Sequence, residues 1–375
     1  MDTVTEVLPL VDGFAAEADA KGVLPASLVD ALLAAGCFRL AAPARHGGSA
    51  VPLPELLGVL EALATADGST AWVVGQAALS QLIIDCAPEA TVAELYAAGP
   101  DLLAAGAVAP KGRATAVTGG RRVKGRWPFV TGCERAQWFY VNCVLVRDRS
   151  VELGPDGGPL TRIVLLPRHE IEIADTWQVL GLRATGSHDV AVAGAVCQEP
   201  RMITMDPTDP ATARARTRIA ESSLLIAAVV VGIAAAALGY DRELATGGKR
   251  PALSRTSLAS STVFHDQLGE AHTELLAARA LLYRQAEASA ARERAGLPAT
   301  ARDRAELRAC ATKIIATASG VVGTAHRLAG GSSVYDSSPM QRRVRDAHTA
   351  TQHFVAARDS YSAFGAALLT ADPGA

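Results

Sequence analysis

The strongest candidate for acid–base chemistry is a histidine near the end of the chain. His348 and His353 lie in the segment RDAHTATQH, inside a predicted last helix. Five positions separate the two rings by roughly 140° around a helix axis, which suits a shared metal ion poorly. Asp346 and His353 would share one face, where a buried histidine could act as general base or hydrogen-bond donor. A satisfied or surface histidine is the alternative.

A second candidate stretch combines aromatic rings with a hydroxyl group. The segment GRWPFVTGC carries Trp127, Phe129 and Thr131 at the predicted end of a strand. Such a set could line a flat cofactor, and it could equally form a strand edge with ordinary core aromatics. The turn TGSHD, which contains Ser187, offers further hydrogen-bonding groups, although most such turns only hydrogen-bond themselves.

A glycine-rich turn separates two predicted helices, in the order Gly330, Gly331, Ser332. Backbone N–H groups in such a turn could bind a phosphate, whereas a glycine pair there more often caps a helix. The sequence contains neither a P-loop nor a G-x-G-x-x-G fingerprint after a strand. It therefore offers no recognisable site for a nicotinamide cofactor.

Composition excludes several classes of function. The chain has 375 residues, with 36 basic and 38 acidic side chains and 5% aromatic residues, so we expect neither nucleic-acid nor membrane binding. The apolar stretch at 224–238 is shorter than the roughly 20 residues of a membrane span and predicts a buried helix. The six cysteines form no C-x-x-C pair, so we expect no metal site. With no signal peptide at the N-terminus, these features predict a cytoplasmic protein.

The residues that could do chemistry must be positioned by three kinds of segment. Apolar residues at spacings of three and four predict helices up to about residue 105, and the segment from 106 to 208 is rich in β-branched residues and turns. Helical patterns return from 209 to 375, in four long segments. The order predicts an α+β multi-domain protein with domains at 1–105, 106–208 and 209–375. Strand candidates are RRVKGRW, AQWFYVNCVLV, TRIVLLP and DVAVAGAVC.

Five segments in this order resemble the acyl-CoA dehydrogenase superfamily. They are APARHGGSAVPLPELLGVLEALATADGSTAWV, GRWPFVTGCERAQWFYV, TWQVLGLRATGSHDVAV, LGEAHTELLAAR and AGGSSVYDSSPMQRRVRDAHTATQH. The resemblance covers about residues 35 to 365. It implies an N-terminal α-helical domain, a central β-barrel-like domain and a C-terminal four-helix bundle.

Two of these segments, GRWPFVTG and SSPMQRRVRDAHTATQH, are similar to the two-component flavin-dependent monooxygenases of that superfamily. The resemblance implies an enzyme that takes reduced FMN or FAD from a separate flavin reductase and uses O2 to hydroxylate a small molecule. The implied substrate is apolar, aromatic or polycyclic, and it includes natural-product intermediates. The absence of a nicotinamide fingerprint agrees with reduced flavin that arrives by diffusion.

The same resemblance assigns roles to individual residues. It places Thr131 at the hydroxyl near flavin N5, and Phe129, next to Trp127, where dehydrogenases hold a ring against the flavin. His353 falls on the family's catalytic histidine, which stabilises the oxygen adduct of the flavin or accepts the substrate proton. Ser187 would also contact the flavin.

The resemblance further implies contacts between subunits. In this family the turn that corresponds to Gly330, Gly331 and Ser332 serves the flavin of a neighbouring subunit, which implies a homotetramer. Arg250 lies near the position that binds pyrophosphate in dehydrogenases. The surrounding GGKRPALSR departs from their R-x-x-F-G pattern, so FMN and FAD both stay open.

One departure concerns the substrate. Phenol hydroxylases of this branch carry a substrate-binding histidine about eight residues after the tryptophan that corresponds to Trp72, and here that position is Ser80. We therefore expect Trp72 and Ser80 to face the substrate, and we expect a polycyclic substrate or one containing nitrogen or sulfur rather than a simple phenol.

Two alternatives stay open from the sequence. An acyl-CoA or acyl-carrier dehydrogenase needs a carboxylate base, and Tyr335 occupies the usual glutamate position of the loop. Glu221 or Asp336 would then have to serve as the base. The second alternative is a superfamily member that binds no flavin and carries out no redox chemistry.

Overall fold

Helices fill the N-terminal part of the chain, as the apolar spacing predicts. They are α1 (Asp2–Lys21), α2 (Ala26–Ala34), α3 (Leu53–Ala66), α4 (Gly68–Ile84) and α5 (Glu89–Leu95). A computed structural model describes residues 2–155, 157–206 and 209–370. Asp67 caps α4, because its carboxylate accepts hydrogen bonds from the backbone N–H and the hydroxyl of Thr70, both at 2.8 Å. This cap fixes the start of the helix that carries Trp72.

A mixed sheet forms the central part of the chain. Its strands are β1 (Ala104–Val117), β2 (Gly120–Trp127), β3 (Trp138–Arg147), β4 (Ser150–Val151), β5 (Thr161–Pro167), β6 (Glu172–Ala174), β7 (Asp189–Cys197) and β8 (Met202–Thr204). The order is β6-β7-β2-β1-β3-β5-β8, with β4 beside β3, and only the β1–β3 pair among these is parallel. Within the described residues the edge strands β6 and β8 do not pair, so the expected barrel-like closure is not observed.

Strand β1 was missing from the sequence-based strand candidates. Its sequence, AAGAVAPKGRATAV, is dominated by small residues and contains Pro110, which is unusual within a strand. The proline lies in an irregular stretch between Ala107 and Gly112, where the register against β3 shifts. Pairing with β2 and β3 therefore overrides the weak intrinsic strand preference of the segment.

Long helices return after the sheet, as predicted. They are α6 (Pro210–Thr246), α7 (Thr262–Arg294), α8 (Ala301–Ala329), α9 (Pro339–Ala350) and α10 (Asp359–Leu369). Side chains cap three of them: Ser261 for α7, Thr300 for α8 and Ser338 for α9. Helix α6 lies at the centre and packs against α3, α4, α7, α8 and α9.

Helix α6 combines high apolarity with burial. The segment Thr212–Thr246 is long and apolar enough to cross a membrane by length and composition, but 83% of its most apolar window is buried inside the protein. Its packing against α3 is so close that a Cβ at Gly232 would lie 2.4 Å from the Glu61 carbonyl oxygen. It is therefore a core helix, as its sequence predicts.

The last predicted helix is interrupted. Helix α9 ends at Ala350, and α10 starts only at Asp359. The Thr351 hydroxyl donates to the His348 carbonyl at 2.6 Å, and the His353 ring accepts a hydrogen bond from Val355 N–H. These local side-chain bonds compete with continued helical pairing. The prediction that Asp346 and His353 share a helix face was therefore wrong, because His353 lies in the connection after α9.

Candidate functional site

A row of hydroxyl groups lies where the turn before β7 meets the segment after β2. Thr131 Oγ1 is 2.8 Å from Ser187 Oγ, which in turn is 2.8 Å from Thr185 Oγ1. Two backbone hydrogen bonds hold the segments together, from Gly132 N–H to the Thr185 carbonyl and from Val130 N–H to the His188 carbonyl, both at 3.0 Å. These backbone hydrogen bonds hold the two segments, and with them the three hydroxyl groups, at a fixed distance from each other.

Two rings connect this row to the end of α9. The Trp72 indole N–H donates to Thr131 Oγ1 at 3.3 Å, and the ring of His353 meets that of Trp72 edge to face at 5.6 Å between centroids. The Phe354 ring also packs on His353, at 4.5 Å between centroids. The structure therefore brings Trp72, Thr131, Ser187 and His353 into one continuous group, although they come from four distant parts of the sequence.

His353 is neutral at physiological pH. Burial lowers the pKa of its imidazole to about 4, below its ordinary value of about 6.5. Its Nδ1 accepts a hydrogen bond from Val355 N–H at 3.4 Å, so the single ring proton of the neutral form belongs on Nε2. The side chain can therefore donate a hydrogen bond from Nε2.

An exposed apolar surface borders the hydroxyl row. Phe129 is 69% exposed with its backbone in the left-handed region (φ 64°), and its ring meets Trp177 edge to face at 6.2 Å. His188 Nδ1 accepts from the backbone N–H groups of Thr176 and Trp177, which fixes the Trp177 loop. An exposed ring beside fixed hydroxyl groups suits a flat, mostly apolar ring system with a polar edge, such as a flavin.

A mostly apolar cleft opens on the other side of Thr131. Lining residues include Phe38, Val73, Ala77, Arg135 and Thr185, besides Thr131 itself. Arg135 is exposed and makes no ion pair within the described part of the chain. A small apolar molecule in this cleft would lie against the same hydroxyl that borders the exposed rings.

Two predicted site residues lie elsewhere. Trp127 is fully buried in the sheet core, where its indole N–H donates to the Asn142 carbonyl at 2.9 Å. Strand β2 ends at Trp127, and the left-handed backbone of Phe129 (φ 64°) turns the chain there, so the exposed Phe129 ring does not follow the side-chain alternation of the strand. Ser80 is 1% exposed, and its hydroxyl donates to the Gln76 carbonyl of its own helix at 2.8 Å. The structure therefore does not place Trp127 or Ser80 at the site.

A second polar cluster contains four other predicted residues. Lys249 Nζ donates to the Ala329 carbonyl at 2.6 Å and to Ser332 Oγ at 2.5 Å. It thereby joins the loop after α6, which carries the exposed Arg250, to the turn formed by Gly330, Gly331 and Ser332. Gly330 ends α8, in agreement with its predicted capping role. No hydrogen bond or ion pair joins this cluster to Thr131 or His353 among the described residues.

A buried carboxylate pair supports the site and was missed by sequence reasoning. Asp346 Oδ1 accepts from Leu182 N–H at 2.6 Å, and burial together with the Asp67 charge raises the pKa of Asp346 to about 7. Arg342 lies 3.7 Å from Asp67. The pair joins α9, the start of α4 and the loop before Ser187. The family segments contained both aspartates, but only their distance in the fold reveals the pair.

The two carboxylates considered for dehydrogenation are poorly placed for it. Glu221 is buried in an ion pair with Arg218 at 2.8 Å and also accepts a hydrogen bond from Ser289 at 2.5 Å. Asp336 is exposed in the loop before α9, beside the equally exposed Tyr335. A base that removes a carbon-bound proton must be free and must face the substrate. Neither residue meets both conditions.

The described residues contain no group of three or more histidine, cysteine, aspartate or glutamate side chains placed to hold a metal ion. All six cysteines fall within them and are unpaired. Burial raises the pKa of the Cys37, Cys86 and Cys133 thiols to about 11, so they carry no thiolate at neutral pH.

Comparison with known proteins identifies relatives over nearly the whole chain. An indole-3-acetate monooxygenase from Acinetobacter baumannii is 28% identical over 343 residues, which is 90% of this chain and 86% of that protein. The oxygenase subunit HsaA of a flavin-dependent monooxygenase from Rhodococcus jostii is 27% identical, with 97% and 96% of the two chains covered. The structure of XiaF from a Streptomyces species, in complex with FADH2 and glycerol, superposes with a TM-score of 0.89 at 25% identity and covers 100% of this chain and 96% of XiaF.

Family models match both helical parts of the chain. Residues 5–95 match the N-terminal domain of acyl-CoA dehydrogenase, and residues 224–358 match its C-terminal domain. The matched segments carry α4 with Trp72 and the connection with His353, and the sheet between them carries Thr131 and Ser187. The chain belongs to the acyl-CoA dehydrogenase superfamily, among the oxygenase components of flavin-dependent monooxygenases.

Proposed function

We propose that this protein is the oxygenase component of a two-component flavin-dependent monooxygenase, acting in the cytoplasm on an aromatic or polycyclic small molecule. The observation that carries the proposal is the group formed by Thr131, Trp72 and His353 beside the exposed ring of Phe129. Reduced flavin, supplied by a separate reductase, would provide the electrons that activate O2. Relatives that cover nearly the whole chain are named as monooxygenases, which supports the same class.

Each residue of the group has a task that its surroundings allow. Phe129 and Trp177 offer apolar surface to the flavin ring, and Thr131 offers a fixed hydroxyl oxygen to its polar edge. Neutral His353 donates a hydrogen bond from Nε2 towards the reacting oxygen or the substrate. The Trp72 and Phe354 rings that pack on His353 give the imidazole apolar neighbours.

The apolar cleft beside Thr131 is our candidate substrate pocket. Val73 and Ala77 line it from α4, in place of Ser80, which the sequence suggested. Arg135 at the lining favours a substrate that carries an acidic group beside its apolar ring.

We further propose a homotetramer in which the turn at Gly330, Gly331 and Ser332 contacts the flavin phosphate of a neighbouring subunit, with Arg250 close by. Lys249 presents this turn, and the bond from its ammonium group to Ser332 fixes the turn geometry. The cluster lies outside the contacts of the Thr131 group, as a site completed by another subunit requires. Either FMN or FAD is compatible with these contacts.

The test is a coupled turnover assay with a general flavin reductase, NADH, FMN or FAD, and a panel of indoles, phenols and polycyclic aromatics. We expect oxygen from O2 in a hydroxylated product that depends on the protein, with the reductase alone as control. If 18O2 labels no product from any aromatic in the panel, and reduced flavin does not bind, the proposal is contradicted.

A further inference from the structure

The hydroxyl row that ends at Thr131 has a fixed direction. Thr185 Oγ1 lies 2.8 Å from the Leu182 carbonyl oxygen, which can only accept a hydrogen bond. The single hydroxyl proton of Thr185 is therefore used there. The Leu182 carbonyl is itself held in place by the Trp177 indole N–H at 3.1 Å. One end of the row is thus anchored to an obligate acceptor.

The donor and acceptor roles of Ser187 and Thr131 follow from that of Thr185. Because the Thr185 hydroxyl proton is donated to the Leu182 carbonyl, Thr185 can only accept in its contact with Ser187. Ser187 is therefore the donor in that contact. Ser187 then has no proton left for Thr131, so Thr131 must donate to Ser187 in their 2.8 Å contact. This is the single arrangement in which every close contact in the row is a hydrogen bond.

Thr131 also receives a proton from the other side. The Trp72 indole nitrogen can only donate, and it points at Thr131 Oγ1 from 3.3 Å. A hydroxyl oxygen accepts at two lone pairs and donates once. Thr131 therefore keeps one lone pair for a ligand and has no free proton to offer.

The family resemblance implies that flavin N5 lies against Thr131, and the two redox states of a flavin differ at this atom. N5 of oxidised flavin has no hydrogen and accepts, whereas N5 of reduced flavin carries hydrogen and donates. We propose that Ser187 and Thr185 are positioning residues that turn the Thr131 proton away from the ligand, so that the site favours reduced over oxidised flavin. This inference rests on the proposed function and adds the residues that set its redox preference.

Burial makes the arrangement rigid. Thr185 is 2% exposed and Ser187 3%, so water cannot readily replace either partner. The backbone bonds from Gly132 and Val130 hold the two segments in register. Reversal of the row would leave the Thr185–Leu182 contact without a proton, which costs a buried hydrogen bond. Thr131 therefore keeps its direction when a ligand arrives.

The test measures two dissociation constants, for oxidised flavin in air and for reduced flavin under anaerobic conditions, with FMN and with FAD. The wild-type protein should bind the reduced form more tightly. Ser187→Ala and Thr185→Val each free the Thr131 proton, so oxidised flavin should gain a hydrogen bond. In both variants we expect the ratio of the oxidised to the reduced dissociation constant to fall about tenfold.

Controls separate this effect from a structural one. Ser187→Thr keeps the hydroxyl and should keep the wild-type ratio, and Ser222→Ala removes a buried hydroxyl on α6 that donates only to the Ile219 carbonyl. Wild-type ratios in both Ser187→Ala and Thr185→Val, with reduced flavin still bound, would overturn the inference alone. Wild-type protein that binds neither flavin would contradict the proposed function itself.

Discussion

At the residue scale, the protonation state of His353 is set by its aromatic and backbone neighbours and not by a charged partner. Aromatic rings flank the imidazole, Nδ1 is occupied by a backbone N–H, and burial lowers its pKa to about 4. The ring is therefore neutral at neutral pH. A neutral donor on Nε2 suits hydrogen bonding to a developing oxyanion or to a peroxide better than storage of a substrate proton.

The corresponding variant is His353→Ala. We expect product formation to fall by about a hundredfold, because a positioned donor is lost. Reduced flavin should still bind and be consumed, with H2O2 released in place of product. His348→Ala is the matched control, because His348 is exposed on α9 only five residues earlier. Coupled hydroxylation that survives in His353→Ala would refute the role of this histidine.

Sequence reasoning reached part of the site at this scale. Trp72, Thr131, Ser187 and His353 were named from family-like segments, and the structure brings them together. Trp127 and Ser80 were named from the same segments but are buried elsewhere, since a motif does not reveal which way each side chain points. The direction of the hydroxyl row depends on the Leu182 carbonyl, whose position only the fold defines.

At the scale of elements, contacts between helices and loops position the site. Gly181, in the loop before Ser187, packs so closely on α9 that a Cβ there would lie 2.2 Å from the Arg345 carbonyl group. Arg345 also pairs with Asp19 on α1 at 2.6 Å and donates to the Leu180 carbonyl at 3.0 Å. The loop is thus held between the first and the ninth helix.

The titration of Asp346 makes the stability of the contact between α9 and the loop before Ser187 dependent on pH. Its folded-state pKa of about 7 exceeds the ordinary value of about 3.9, so the folded protein binds a proton that the unfolded chain has released between these values. The contribution of Asp346 to the free energy of unfolding is therefore present at low pH and is lost as pH rises towards 7. Asp67, Asp19 and Arg342 are the charged groups that face it.

Two variants test this connection. Asp346→Asn keeps the acceptor for Leu182 N–H but cannot titrate, so the fall in stability between pH 4 and pH 7 should be smaller than in wild type. Asp346→Ala removes the acceptor and should destabilise by about 2 kcal/mol at pH 5. Denaturant unfolding across this pH range measures both effects. An Asp346→Asn variant with the wild-type pH slope would show that Asp346 does not titrate there.

Two glycines on α6 give a matched pair for helix packing. At Gly232 a Cβ would clash with α3, so Gly232→Ala should destabilise by about 2 kcal/mol. At Gly239 a Cβ would meet nothing within 4 Å, so Gly239→Ala should stabilise by about 0.5 kcal/mol through higher helix propensity. Thermal or denaturant unfolding measures the pair. Equal effects at both positions would contradict the packing of α6 on α3.

Some helices and strands could be predicted from sequence patterns, and others could not. Helices with strong apolar spacing, such as α3 and α6, lie in segments that the sequence predicts to be helical, because their own periodicity defines them. Strand β1 and the break after α9 were missed, since one depends on its neighbours in the sheet and the other on hydrogen bonds from Thr351 and His353.

At the scale of the whole molecule, the proposed homotetramer needs a surface through which the chains can associate. Small residues lie on the outer face of α8, where Ala316 and Gly320 are exposed, and such a face lets another helix approach closely. We expect light scattering to give four times the chain mass of 38.8 kDa.

A substitution on this face tests the assembly. A Cβ at Gly320 meets nothing within 4 Å in the single chain, so Gly320→Arg should keep the fold, measured by circular dichroism, but lower the mass in solution. Gly13→Arg, equally open and exposed on α1, is the control. A monomeric wild-type protein, or a tetrameric Gly320→Arg variant, would contradict assembly through α8.

The family and the class of fold were predicted from the sequence and are confirmed by family models and by structures that superpose over the full chain. Substrate identity was not predictable in the same way. In our proposal the substrate binds the cleft beside Thr131, whose lining comes from α2, α4 and loops far apart in the sequence. Only the fold brings those residues to one place.

The most direct test of the central claim is the rate at which bound reduced flavin reacts with oxygen. Anaerobically reduced FMN or FAD would be mixed with an excess of the protein and then with O2 in a stopped-flow instrument, while flavin absorbance is recorded. We expect oxidised flavin to return much more slowly than in free solution, with one of the two flavins held preferentially. Return at the rate of free flavin, with both cofactors, would contradict the assignment as a flavin-dependent oxygenase.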